Sequence, residues 1–128
     1  MTDEQRDKLR RAIALPGWRW VSGMATDDGD RVAAAHTLQG YWAGEFYTPD
    51  GSFVVADFDR RDFPDPDDHA TAGCLLALLG AIEAGADPGG SGRWSVSPDG
   101  ERYCSGPSLG WACIEAALAL GRWPGGEG

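Results

Sequence analysis

"YWAGEFYTPDGSFVVADF", residues 41–58, decides how this chain is built. Two strand-like runs flank Thr48, Pro49, Asp50 and Gly51. Proline presets a turn φ, aspartate caps the turn with its side chain, and glycine accepts a positive φ. The segment therefore specifies an antiparallel hairpin. The same device returns in "GRWSVSPDGERYC", residues 92–104, around Ser97, Pro98, Asp99 and Gly100. Each hairpin feeds an apolar stretch with helical spacing. After the first, a helix is expected to begin near "DPDD", with Asp65 as N-cap, Pro66 at the first position and Asp68 in the first turn. It carries Leu75, Leu76, Leu78, Leu79 and Ile82 and ends near Gly85. After the second, a helix is expected from "SGPS", with Pro107 at its first position and Gly121 as terminator.

Upstream, a helix over 3–14 is expected, with Thr2 as N-cap and Gln5 completing a capping box. Leu9, Ala12 and Ile13 form its apolar stripe, and Pro16 with Gly17 ends it. "WRWVSGM" reads as a strand, "TDDGD" as a turn and "RVAAAHTLQ" as the return strand. The plan is helix, hairpin, then hairpin–helix twice, over about 41–85 and 92–121. It predicts one α+β domain spanning 1–128: an antiparallel sheet built from hairpins, with an N-terminal helix and two helices packed on the sheet. "GADPGGSG", residues 85–92, reads as a loop, and the tail 124–128 is expected to fray.

Composition narrows the function. A chain of 128 residues with 42% hydrophobic residues can bury a core without staples. The longest apolar run, "GCLLALLGAI", is too short to span a bilayer, and "MTDEQRDKLRR" has no signal-peptide apolar region. A cytoplasmic protein with no membrane partner is expected. Cys74, Cys104 and Cys113 make an odd count without metal spacing. No disulfide framework, no metal site and no cofactor are expected. The net charge of −9 argues against nucleic acid, which needs clustered Lys and Arg.

Motifs for chemistry are thin. "DFDRRDFPDPDD" has interposed arginines and prolines and lacks the terminal glutamate of a calcium loop, so it reads as a solvated strand exit and helix N-terminus. Glu45 and Glu101 have no histidine or nucleophile beside them. There is no G-x-S-x-G and no phosphate-binding loop with its lysine. No enzyme is expected. What stands out is the aromatic inventory: Trp18, Trp20, Trp42, Trp94, Trp111 and Trp123. Arginines neighbour several of them, with Arg19 between Trp18 and Trp20, Arg93 before Trp94, and Arg122 before Trp123. Two readings stand: core rings with edge arginines, or a composite site for phosphate and base. Strand alternation places Arg19 opposite Trp18 and Trp20, so such a site draws its groups from several strands or from two subunits.

"LPGWRWVSGM" followed by a turn and Arg31-Val32, together with "DPDDHATAGCLLALL", resembles the signatures of small phage and prophage proteins. The resemblance extends over most of 9–120, although only these two motifs are distinctive. It points to the phage anti-Thoeris sponges, which bind a cyclic ADP-ribose-type immune signal without cleaving it. The resemblance implies a homo-oligomer in the infected host's cytoplasm, with sites at subunit contacts. By that likeness the ligand-binding candidates are Trp18 and Arg31 from the first motif region. Trp94, Arg102, Ser105 and Arg122 join them from the second half by residue type. The excess of acid is awkward for a phosphate binder. An acidic protein-binding inhibitor of anti-CRISPR or anti-restriction type is the alternative, and a small signal hydrolase is a third reading.

Overall fold

The computed structural model describes residues 2–38, 41–58 and 62–126. Helix α1 spans Asp3–Ile13, and the expected capping box is present: Gln5 N donates to Thr2 Oγ1 at 3.1 Å and Thr2 N donates to Gln5 Oε1 at 2.9 Å. Strands β1 (Arg31–Leu38), β2 (Tyr41–Tyr47) and β3 (Phe53–Asp57) form one antiparallel sheet in that order. Helix α2 spans His69–Leu79. Strands β4 (Glu83–Ala86), β5 (Trp94–Ser97) and β6 (Cys104–Gly106) form a second antiparallel sheet, also in chain order. Helix α3 spans Leu109–Leu120, and a 3-10 turn over Pro124–Gly126 follows. The molecule is α+β with its hairpins where the two Pro-Asp-Gly turns place them. The strands divide into two sheets among the described residues, where one was expected.

Four local expectations change. Residues 18–24 form no strand. Trp18 and Trp20 both turn into the core, and Arg19 between them is exposed, as strand-like alternation demands, but only the end of the segment bonds to β1, where Gly23 N donates to Val32 O and Val32 N donates to Met24 O at 2.8 Å each. Helix α2 stops at Gly80, whose φ of 68° gives a left-handed cap, so Ile82 lies beyond the helix and is exposed. Residues 83–86, expected as helix end and loop, pair with β5 instead. The caps of both later helices shift by a few residues: Asp68 caps α2, where Asp65 was expected, and Ser108 caps α3, placing Pro107 outside the helix. Asp68 prevails because its carboxylate receives Thr71 N at 2.9 Å and also meets Arg31.

A further change is the tail. Trp123 is fully buried, its indole Nε1 donates to Ala12 O at 2.8 Å, and its backbone N donates to Pro16 O at 2.8 Å. A Cβ placed on Gly126 would stand 1.8 Å from Gly17 O, so only glycine permits this approach. Residues 124–126 are therefore docked where fraying was expected, and 127–128 lie outside the described residues.

The core lies between α1, α2, α3 and the inner sheet faces. Trp18 meets Trp123 at 5.5 Å and Trp20 at 5.6 Å, and Trp20 stacks on Phe58 at 4.3 Å with planes 19° apart. Leu9, Leu75, Leu79, Val96 and Ile114 are fully buried around them. Lys8 Nζ reaches Glu115 Oε1 at 2.6 Å and ties α1 to α3 across a half-exposed surface. The domain thus presents two sheet surfaces, one from each hairpin, with different chemistry.

Candidate functional site

The two residues drawn from the first motif region are committed to the fold. Trp18 is 8% exposed and packed between Trp20 and Trp123, so its ring faces protein and not solvent. Arg31, at the start of β1, donates from Nη1 to Asp68 Oδ2 at 2.7 Å and from Nη2 to Asp68 Oδ1 at 3.0 Å. Nη1 also donates to Gly23 O at 2.9 Å. This is a two-pronged carboxylate clamp. Asp68 Oδ2 further accepts Thr71 N and Thr71 Oγ1, both at 2.9 Å, while Ala25 N donates to that same hydroxyl at 2.7 Å. The Arg31 guanidinium, followed by the Thr71 bonds, holds the Asp68 carboxyl down at about 2, and Asp68 in turn raises Arg31. The cluster joins the 23–25 segment, β1 and the α2 N-terminus. Both terminal nitrogens of Arg31 are held by protein oxygens, so the cluster acts to position these segments.

The second-half candidates separate. Trp94 is half-buried on β5 and packs against the core. Arg102 is exposed in the turn after β5, where its backbone N donates to Asp99 Oδ1 at 2.9 Å. Arg122 is exposed beyond α3. Ser105 lines a cavity. It sits on β6 opposite Ser95 of β5, which in turn faces Gly85 of β4. This row of small residues crosses the sheet and leaves a shallow groove of about 450 Å³, lined also by Glu83, Asp87, Arg93 and Tyr103. Val96, one residue along β5, is fully buried, so the alternation of the strand points Ser95 away from the core. Trp18, Arg31, Trp94, Arg102 and Arg122 do not line the groove.

The groove's polarity is uneven. Arg93 Nη2 donates to Ser105 Oγ at 3.4 Å, its one hydrogen-bonded side-chain contact among the described residues. The other guanidinium N–H groups face solvent or the groove. Both carboxylates are occupied locally. Tyr103 Oη donates to Glu83 Oε2, a contact that raises the phenol's pKa. Asp87 accepts Ser91 Oγ at 2.6 Å and Gly89 N at 2.9 Å, and these bonds lower its pKa, the serine contributing most. What the surface offers a ligand is a fork of N–H donors, two hydroxyls and a phenol ring, beside two carboxylates that keep their charge, of which Asp87 also interacts with Arg93. Sequence reading found Ser105 but not its partner in the groove. Arg93 was noticed as a neighbour of Trp94, yet strand alternation puts the two on opposite faces.

The thiols sit differently. Cys113 is fully buried in α3, where burial pushes its pKa up to about 12, and Cys74 and Cys104 are half-buried and also raised by burial. Burial thus favours the neutral thiol form at all three. Elsewhere, Asp27, Asp28 and Asp62 bring carboxylate oxygens within 4.8 Å of one another on the surface. Asp62 belongs to the acidic run read as solvated, and its approach to the "TDDGD" turn is a tertiary fact with no local signal. No helix among the described residues is long and apolar enough to cross a membrane.

Fold and groove together define a class: an α+β protein carrying an open, polar sheet surface with one accessible guanidinium. Comparison with protein-family models, with curated proteins and with solved structures gave no match.

Proposed function

We propose that this chain is a cytoplasmic, phage-encoded anti-defence protein that binds a cyclic ADP-ribose-type nucleotide in the β4–β5–β6 groove and holds it without cleavage. The observation that carries the reading is the Arg93 guanidinium standing beside Ser105 and Ser95 in a groove whose two carboxylates are already engaged. A guanidinium fork matches phosphate oxygens, serine hydroxyls complete the contacts, and a phenol ring stacks on a base. A volume of about 450 Å³ is of the size that such ligands occupy. The lining residues include neither histidine nor cysteine to activate Ser95 or Ser105, which favours binding over hydrolysis. The resemblance supplies the ligand class, and the site moves from Trp18 and Arg31 to Arg93, Ser95, Tyr103 and Ser105.

The protein's charge of −9 opposes an anion at long range. Association should therefore quicken as salt rises from low to physiological levels, because added ions screen the repulsion. The decisive experiment incubates the protein with a panel of cyclic nucleotides and cyclic ADP-ribose isomers, denatures it and recovers the ligand. Depletion followed by release of unchanged ligand is expected, and Arg93→Ala should weaken binding at least about tenfold at an unchanged melting temperature. Recovery of cleaved ligand would make the protein a hydrolase. No depletion by well-folded protein would favour the acidic protein-binding inhibitor, which the net charge of −9 supports as a second reading.

A further inference from the structure

Strand β3 has hydrogen-bonded company on one side only. It pairs with β2, and no strand among the described residues lies beyond it. The hairpin's bonding phase tells which groups are left over. At the turn, Thr48 N donates to Ser52 O at 2.8 Å, and at the far end Phe58 N donates to Trp42 O at 3.0 Å. Bonded pairs in an antiparallel ladder recur every second residue, so the even-numbered residues of β3 turn their backbone groups to β2. Phe53, Val55 and Asp57 turn theirs outward, to an edge that no strand among the described residues pairs with.

The side chains of this strand are as unusual as its edge. All five residues are exposed although four are apolar, with Phe53 52% and Val55 71% exposed. Tyr47 of β2, 50% exposed, lies edge-on to Phe53 at 5.4 Å and continues the patch. Proteins that keep an edge strand solitary blunt it with lysine, proline or a bulge. None of these interrupts Phe53–Asp57. The sheet's one irregularity, between Val32 and Ala34, lies on the opposite edge.

We infer that β3 is a homodimer edge, pairing antiparallel with β3 of a second copy to make one six-stranded sheet. The sequence of the strand selects this occupant. A twofold axis at Val55 sets Val55 against Val55, Val54 against Ala56, and Phe53 against Asp57. In that register the outward groups of all three odd residues meet complementary groups, giving about six hydrogen bonds across the axis. Like charges stay apart, because Asp57, the strand's one charged residue, sits at opposite ends of the paired strands. A second copy needs no side chain other than those β3 already has. The inference is independent of the ligand reading, since the groove belongs to the other sheet.

Sedimentation velocity over a concentration series tests it on the full chain. The expected result is a reversible monomer–dimer equilibrium at micromolar to tens-of-micromolar protein. Val55→Pro removes an outward N–H and breaks no bond of the hairpin, and it should raise the dimer Kd at least about tenfold. Val55→Lys should do the same by charge, and it decides the matter if the proline variant fails to fold. Arg93→Ala should stay dimeric. A wild-type chain that is monomeric at several hundred micromolar, or a dimer indifferent to Val55→Lys, would overturn the assignment.

Discussion

The two hairpins use one turn and come to opposite ends. In the first, Asp50 Oδ1 accepts Ser52 N at 3.0 Å, and in the second Asp99 Oδ1 accepts Glu101 N and Arg102 N at 2.9 Å each. Thr48 and the Ser52 groups draw the Asp50 carboxyl down to about 2, and the Arg102 and Glu101 amides lower Asp99 as well. Beyond the turns the likeness fails. The first hairpin leaves Tyr47, Phe53 and Val55 on the surface, whereas the second puts Ser95, Ser105 and Arg93 there. Turn chemistry fixes that a hairpin forms. What each outer face carries is settled by the alternate residues, which the turn does not constrain. One outer face is therefore apolar at an open strand edge, and the other polar, which is why different partners are proposed for them.

The contrast within the first sheet is the easiest to break. Phe46 is buried against Phe58 at 4.8 Å, while Phe53 on the neighbouring strand is half exposed. Phe46→Ala should cost about 3–5 kcal/mol and Phe53→Ala under about 1 kcal/mol in the monomer, read from urea unfolding at low protein concentration. Equal losses would mean that β3 is packed as tightly as β2. The clamp of Arg31 on Asp68 comes next. Its carboxyl sits at about 2 in the folded protein, below the ordinary value of 3.8, so its stabilisation is complete above about pH 4 and is lost as pH falls towards 2. Because the Arg31 side chain is 43% exposed, solvent screens the pair, and Arg31→Ala should cost about 1–2 kcal/mol at pH 7. The same variant should flatten the acid slope of stability between pH 4 and 2. The smallest effect sharpens the likeness of the turns. Asp50→Ala and Asp99→Ala should each lower the melting temperature by a similar few degrees or less, since both aspartates are fully exposed turn caps. A large difference would show that one turn is held by its sheet and the other by its own side chain.

These particulars also show what the sequence can and cannot say. The capping box of α1, both Pro-Asp-Gly turns and the Gly121 stop of α3 are local devices, and each was legible because its partners lie within four residues. Strand β4 was not legible. "EAGA" has neither alternation nor β-propensity, and it becomes a strand because β5 offers it a ladder. The Arg31 clamp escaped notice because its partner is 37 residues away, so the arginine looked available when it was not. Trp18 likewise gave the signal of a ring without its surroundings. The groove was half legible: Ser105 stands out by residue type, whereas the cross-strand placement that brings Arg93 to it is set by the β5–β6 register, which neither strand shows alone.

The burial of Trp123 has a consequence for biosynthesis. Trp18 and the end of α1 pack on a ring encoded a hundred positions later, and Gly126 closes over Gly17 behind it. A nascent chain that has emerged only as far as α3 holds its helices and hairpins with an unfilled hole between them. Cooperative folding must wait until residue 123 clears the ribosome. Chains ending before residue 123 would lack the ring on which Trp18 packs and from which Ala12 O accepts a hydrogen bond, and they are expected to be cleaved by protease far faster than the full chain.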